Sequence, residues 1–444
     1  MPMSAAEASL SSRTAALPVT GWRWAPAFVL AFVALWPMPG YAEAVLALGA
    51  LAGLGRVLVV RMRGQGRLLS GPAWALSSAL FAAYWAPELL SAPGAVDVGR
   101  ALGESAADLR YLPFLWLVAA AVATPTGRQR TFDGLAIIVA AWTLDALVQI
   151  ATGISPLFWS LDQLKWQFSG HGMCAMEDIA AGDRLSGVLG PCNAKLGLVM
   201  ASMSPFLLIA AARRFGVAGW LLATAAVGLV VLMGGARAGW ITFALVAAVT
   251  GWQLLGVRRL ALIALLGVFA AAGAAALSPQ LQQRLQRTAA AMSGDEAGVD
   301  NALSGRARIW QAAGCMVASS PINGIGVRGF REAFPACDPA PQSAPAWGQG
   351  PALHAHQLVL EILSETGVLG LLLWCAGAAL AIRAWRYAEP AARAQARPAM
   401  LALAVTVFPL NTHLAFYSTF WGGVTLLLAA LYVGSLLGTG DGQG

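Results

Sequence analysis

The chain has 444 residues and a formal charge of +7, and its side chains are 58% hydrophobic but only 11% charged. Charged residues make up about a quarter of an ordinary soluble domain, so so few of them cannot cover the surface of a soluble fold this long. The apolar residues instead fall in charge-poor blocks of about 17–22, long enough to cross about 30 Å of hydrocarbon as helices, and the alternating ten-residue segments of a membrane barrel are absent.

In chain order the apolar blocks lie near 25–39, 41–60, 69–90, 111–125, 131–152, 195–212, 216–234, 238–256, 259–277, 358–382, 398–416 and 420–438. Helix is the natural conformation for each, because a span in lipid must satisfy its own backbone hydrogen bonds. The expectation is an all-α polytopic membrane protein with about 12 transmembrane helices and one large, partly helical outer loop. Alternate connections carry Arg61, Arg63 and Arg67; Arg128 and Arg130; Arg213 and Arg214; Arg258 and Arg259; then Arg383, Arg386, Arg393 and Arg397. The positive-inside rule puts these in the cytoplasm, together with both termini, in a bacterial inner membrane. The positive charge is thus a topology signal, and no nucleic-acid partner is expected. The small residues Tyr41-Ala42-Glu43-Ala44 after the first apolar run mimic a signal cleavage site, but cleavage would break the parity of the later spans, so an uncleaved first helix is expected.

The chain divides into an N-terminal bundle of about nine helices (1–277), a large periplasmic loop (278–357) and about three C-terminal helices (358–444). The other long polar stretches, 91–110 and 153–194, face the periplasm too. In the large loop, Leu281, Leu285, Thr288 and Met292 recur at helical spacing and predict an interfacial helix. The acids from Gly294 to Asp300 read as a solvated turn without a calcium-loop spacing. A second helix is predicted from Arg306 through Ser319, ended by Pro321 and Gly324. Cys174, Cys192, Cys315 and Cys337 fall in an oxidising compartment, where pairs 174–192 and 315–337 are compatible with disulfides; free buried thiols fit the sequence equally. No metal site or cofactor is expected, and Asp145 is the one clear acid inside a span.

Three features carry candidate chemistry. Arg237 sits in Gly234-Gly235-Ala236-Arg237-Ala238-Gly239, at the outer junction of two spans. Its side chain can serve a site there or simply snorkel beside a packing turn. Gly305-Arg306-Ala307-Arg308 opens the loop helix, and two arginines two apart point about 200° from each other, so one of them faces any given site. Guanidinium suits a diphosphate through permanent charge and a bidentate fork, whereas a solvated basic helix end needs no function. His354-Ala355-His356-Gln357 lies where the chain re-enters the membrane. Imidazole there can take a proton from a sugar hydroxyl, with Glu361 and Glu365 one and two turns on to orient polar partners. Asn411 and His413, at the outer end of another span, either approach this site or cap a helix.

At these residues the chain resembles the O-antigen ligases. Their signature of His-(Asn/Ser/Gln), nine residues, then Gly-x-x-Gly is met by His356-Gln357, Gly367 and Gly370; their Arg-x3-Leu is nearly met by Arg237 to Ile241, with Ile for Leu. The wider ligase/polymerase superfamily also shows segments like Asp145, Gln149 and Gly153, then Arg184-Leu-Ser-Gly187 and Asn193, then Gly324-Ile-Gly326 and Phe330. The resemblance implies a GT-C-type, metal-independent, inverting membrane glycosyltransferase. It would move a glycan from undecaprenyl diphosphate to lipid A–core at the periplasmic face, with membrane lipid around it and no cofactor. By the same resemblance Arg237, Arg306 and His356 are the catalytic residues, with Arg308, Arg184 and His354 in substrate binding. A polymerase using the same donor shares most of the pattern. A transporter would instead show repeats and mid-membrane ionisable residues.

Overall fold

A computed structural model describes residues 21–64, 66–175, 184–193, 195–277, 282, 305–345, 347, 350–409, 411 and 415–438, and their regular elements are all helices. In chain order these are α1 (Ala25–Ala34), α2 (Pro39–Met62), α3 (Gly71–Ser91), α4 (Val98–Asp108), α5 (Tyr111–Ala123), α6 (Pro125–Thr152), α7 (Pro156–Ser169) and α8 (Leu196–Met233). They continue with α9 (Arg237–Leu255), α10 (Val257–Leu277), α11 (Arg306–Ser319), α12 (Phe330–Cys337), α13 (Leu358–Tyr387), α14 (Pro390–Thr406) and α15 (Thr419–Leu437). The predicted interfacial helix near Leu281–Met292 and the acidic turn at 294–300 lie outside the described residues.

Each of the twelve predicted apolar blocks contains helix, but the helical lengths differ from those predicted. Seven described helices are long and apolar enough to cross a membrane. One of them, α8, runs 38 residues and breaks at Gly216 (φ 61°, ψ −146°), so two predicted spans are its two halves. By contrast α1 has 10 residues, a rise of about 15 Å that covers half the hydrocarbon. Hydropathy reads burial in protein as readily as burial in lipid, which is why the short α1 reads as a span, whereas the 13-residue α5 follows α4 so directly that the two together make one of the seven.

The innermost layer is α5 against α15, whose side chains are buried almost without interruption. Small residues set their separation. A Cβ on Gly434 would run into the Ala119 backbone and one on Gly438 into that of Ala123, the close approach that stands in for hydrophobic driving force in lipid. Around this pair α3, α6, α13 and α14 pack inward, while Leu48, Leu51, Leu58, Leu372 and Leu380 remain exposed on outward faces, as a lipid-facing surface requires.

One expectation is corrected. Asp145 is not the one acid among the spans: Glu88, Asp108, Glu361 and Glu365 are buried as well. Glu88 escapes a hydropathy reading because it stands alone in an apolar run. The polar stretch 91–110 contains the helix α4, capped by the Asp97 side chain on the Arg100 N–H.

The outer loop docks on the bundle at a break in α13. Gly367 (φ 66°, ψ −166°) interrupts the helix, freeing the carbonyls of Ser364 and Glu365 and the N–H groups of Val368 and Leu369. The segment after α11 takes all four: Ile325 and Gly326 donate to Ser364 and Glu365 at 2.9 and 3.0 Å, while Val368 and Leu369 donate to Pro321 and Ile322 at 2.9 and 3.1 Å. Gly324 lies so close that a Cβ there would strike the Glu365 backbone. Above this joint α11, α12 and 352–355 share a small core of Ile309, Ala313, Met316, Phe330, Phe334 and Ala355. Both compatible disulfides form, Cys174–Cys192 and Cys315–Cys337, the second joining α11 to α12; Cys375 is free.

The backbone of Gly367 is in a region open essentially to glycine alone, and a Cβ there would meet the Ile322 carbonyl. Gly367→Ala is therefore expected to destabilise the protein by at least about 2 kcal/mol, read as a lower midpoint in detergent thermal unfolding; an unchanged midpoint would refute the joint.

Candidate active site

The site is assembled from four short segments at one end of the bundle. The first carries Arg184. Gln149 on α6 accepts the Gly187 N–H at 2.7 Å through Oε1 and its Nε2 lies 3.4 Å from Ser186 Oγ, while the Leu185 N–H reaches the Met233 carbonyl at 3.3 Å. One turn earlier on α6, Asp145 accepts Ser155 Oγ at 2.7 Å and the Leu157 N–H at 2.8 Å, holding the start of α7. The Asp145–Gln149 pair is thus a scaffold for two outer loops.

Arg237 is the first residue of α9. The two halves of α8 fold back at Gly216, so Gly197 near its start meets Gly234 at its end, where a Cβ would come within 3.0 Å of the Gly197 Cα. A Cβ on Gly239 would stand 3.2 Å from the Gly197 carbonyl. The glycines flanking Arg237 therefore seat its turn on the neighbouring helix. Ile241, where the family pattern has Leu, is exposed, so that departure leaves the site untouched.

Arg306 is the first residue of α11, preceded by Gly305 in a left-handed conformation. Arg308 points elsewhere. Its Nε and Nη2 grip both oxygens of Asp338 at 2.7 and 2.6 Å, its Nη1 donates to the Ser343 carbonyl at 2.9 Å, and the guanidinium lies 5.5 Å from the Trp347 ring centroid. The grip holds the Asp338 carboxyl below the usual range. Arg308 thus braces the loop, whereas Arg306 at the start of the same helix is the arginine that feels Arg237 and Arg184.

His356 immediately precedes α13. Its φ is +53°, a left-handed backbone uncommon for a non-glycine residue. The next residue shows what holds it: Gln357 caps α13 by accepting the Leu360 N–H at 2.6 Å and donates to the Pro409 carbonyl at 2.8 Å. The ring of His354 lies 3.9 Å from that of His356, centroid to centroid. One and two turns on, Glu361 accepts the Tyr417 N–H at 3.3 Å and Glu365 the Arg328 N–H at 3.0 Å, so the predicted orienting acids anchor loops. Asn411 is buried, its amide on the Thr406 carbonyl and its own carbonyl on the Leu358 N–H; it ties two helix ends. His413 lies outside the described residues.

Electrostatics link these segments. Burial lowers the Arg306 pKa to about 10, helped by Arg237 and Arg184. Burial, then the charge of Arg306, lowers that of His356 to about 4. Arg306 thus feels Arg237 and Arg184, and His356 feels Arg306, while Arg237 and Arg306 each open a helix, where backbone N–H groups add positive potential. A half-buried cluster of mutually repelling cations beside a neutral imidazole is suited to an anion and a proton acceptor. Among the described residues no group of three or more His, Cys, Asp or Glu side chains could hold a metal ion. The sequence reading missed Arg328, left-handed at φ 62° with its N–H on Glu365 and its guanidinium 3.8 Å from Glu104. The glycines around it, Gly326 and Gly329, were the available signal.

Residues 220–375 match the family model described as O-antigen ligase. The chain carries an O-antigen ligase family domain. The match contains Arg237, Arg306 and His356, while Arg184 lies before it. No match was found among curated proteins. The match covers 156 of the 444 residues and supports kinship with O-antigen ligase-type membrane enzymes, and the apolar helices agree with a multi-pass membrane protein.

The two neighbouring arginines are expected to behave differently. Arg308→Ala should expose the 320–350 segment to limited proteolysis, since it leaves Asp338 buried without its partner, whereas Arg306→Ala should leave the digestion pattern unchanged. Equal sensitivity in both would contradict the division of roles.

Proposed function

We propose that this protein is an O-antigen ligase that transfers a glycan from undecaprenyl diphosphate to a sugar hydroxyl of lipid A–core at the periplasmic face of the inner membrane, both termini lying in the cytoplasm. The convergence of Arg237 and Arg306 with a neutral His356 carries this reading. Disulfides on the side assigned to the periplasm support the orientation, and so does the arginine-rich set of opposite connections.

The diphosphate of the donor sits on Arg237 and Arg306, with Arg184 behind them. The acceptor hydroxyl oxygen attacks the anomeric carbon from the face opposite the diphosphate. The bond from that carbon to the diphosphate oxygen breaks, and its electron pair leaves with the oxygen. The growing charge is met by guanidinium groups already in place, which cost no reorganisation during reaction. Because diphosphate is a good leaving group, no general acid and no metal is required. The hydroxyl proton passes to His356, and the single displacement inverts the anomeric centre. In the free enzyme burial, and then the charge of Arg306, holds His356 at low basicity; a bound diphosphate cancels that charge and raises it. Proton acceptance is thereby coupled to donor binding. His354, whose ring lies tilted against that of His356, helps fix it.

The decisive test is lipopolysaccharide profiling in a deletion strain complemented with wild type, Arg237→Ala, Arg306→Ala or His356→Ala. A ligase leaves bare lipid A–core in the deletion while glycan accumulates on the carrier, and none of the variants restores the ladder. Core bearing a single repeat unit would instead mark a polymerase with the same donor. The pH dependence follows from the low His356 pKa, since the neutral imidazole is the active form. The acid limb of kcat/KM for donor, which reports the free enzyme, should fall near pH 4, and that of kcat at higher pH. A kcat limb at or below the kcat/KM limb would overturn the coupling.

A further inference from the structure

A cavity of about 440 Å³ opens where the segment entering α8 meets the α1–α2 turn. It is bounded by Pro37 and Pro39 from the α1–α2 turn, by Leu189, and by Cys192, Asn193 and Lys195 from the segment entering α8. Its volume is within the range of small-molecule sites, about 300–1,000 Å³. Lys195 is its one charged lining residue. The ammonium stands 4.7 Å from the centroid of Phe420, whose ring is in turn edge-on to Trp36 at 5.6 Å. No ion pair joins Lys195 to a carboxylate among the described residues. Burial lowers its pKa, and the other contributing charge is a cation, Arg328.

A partly desolvated ammonium in a cavity wall, facing an aromatic ring and a second cation, is held at a cost that an anion entering the cavity would remove. Asn193 adds an amide able to bond hydroxyls. The chain places this cavity close to the reacting groups: two residues beyond Lys195, Gly197 packs against Gly234 and Gly239 on either side of Arg237. The Cys174–Cys192 disulfide pins the cavity wall from the other side. A diphosphate held at Arg237 and Arg306 leaves this cavity for a different anionic group.

We propose that the cavity at Lys195 is a subsite for an acidic saccharide, with Lys195 binding the phosphate or carboxylate of a sugar and Asn193 a neighbouring hydroxyl. The inference rests on the reading of the protein as a lipid-linked glycan transferase; the acidic sugar belongs either to the acceptor or to the transferred glycan.

The test uses the full-length protein in nanodiscs and saturation-transfer NMR with glucose 6-phosphate, glucuronate and glucose as probes. Wild type is expected to give signals from the two acidic sugars and not from glucose. Lys195→Met should lose them at least fivefold, while Lys195→Arg and Arg306→Ala keep them. Wild-type signals in Lys195→Met, or glucose binding as well as the acidic sugars, would overturn the subsite. Displacement of glucose 6-phosphate by phosphorylated but not dephosphorylated core oligosaccharide assigns the acidic group to the acceptor; displacement by neither assigns it to the transferred glycan. The binding measurement involves no transfer. Lysine-dependent binding in a protein whose Arg306→Ala and His356→Ala variants still restore the lipopolysaccharide ladder would therefore keep the subsite and reject the transferase reading.

Discussion

Everything at the outer face of this protein depends on four backbone groups released where α13 breaks at Gly367. In lipid an unsatisfied carbonyl or N–H costs several kcal/mol, so a helix cannot break near the membrane boundary unless something takes up the freed groups. Here residues 321–326 do so, two donors for two acceptors and two acceptors for two donors. The exchange fixes the segment that follows α11 to the helix that follows His356. Arg306 at one end of α11 and His356 ahead of α13 are thereby held in one frame, although they are 50 positions apart in the chain.

The buried carboxylates serve the same frame. Glu361 and Glu365 accept backbone N–H groups from Tyr417 and from the left-handed Arg328, so each acid on α13 fastens a loop arriving from elsewhere. Gln149 and Asp145 on α6 do likewise for the loops before and after α7. A membrane enzyme that works at the surface needs irregular backbone close to lipid, and polar side chains projecting from spans are the means of satisfying it. The cost of burying these groups is offset by the backbone partners they gain.

The cationic groups are arranged by the opposite logic. Arg308 is satisfied by Asp338 and contributes rigidity, whereas Arg306 sits among arginines that lower its pKa. Clustered like charges destabilise the empty protein and favour whatever anion neutralises them. Lys195, in its own cavity a few residues from Gly197, shows the pattern again on a smaller scale.

Much of this was legible in the residues themselves. Low charge and long apolar blocks determine an all-helical membrane protein, because hydrocarbon leaves a backbone few other choices. The bounds of α11 follow from local signals, Gly305 before it and Pro321 after. The resemblance to the O-antigen ligases was readable because each of its motifs, Arg237 to Ile241 and His356 to Gly370, is a short run of chain. What the sequence could not decide was relational. Whether Arg306 or Arg308 faces the site depends on Asp338, 30 residues away. Whether a cysteine pair closes depends on distances across a loop, and whether an apolar block crosses lipid or lies inside protein depends on its neighbours, as α1 illustrates. Hydropathy and spacing are properties of a segment. Partner choice, burial and the field felt by His356 belong to contacts between segments, and only the tertiary structure brings those segments together.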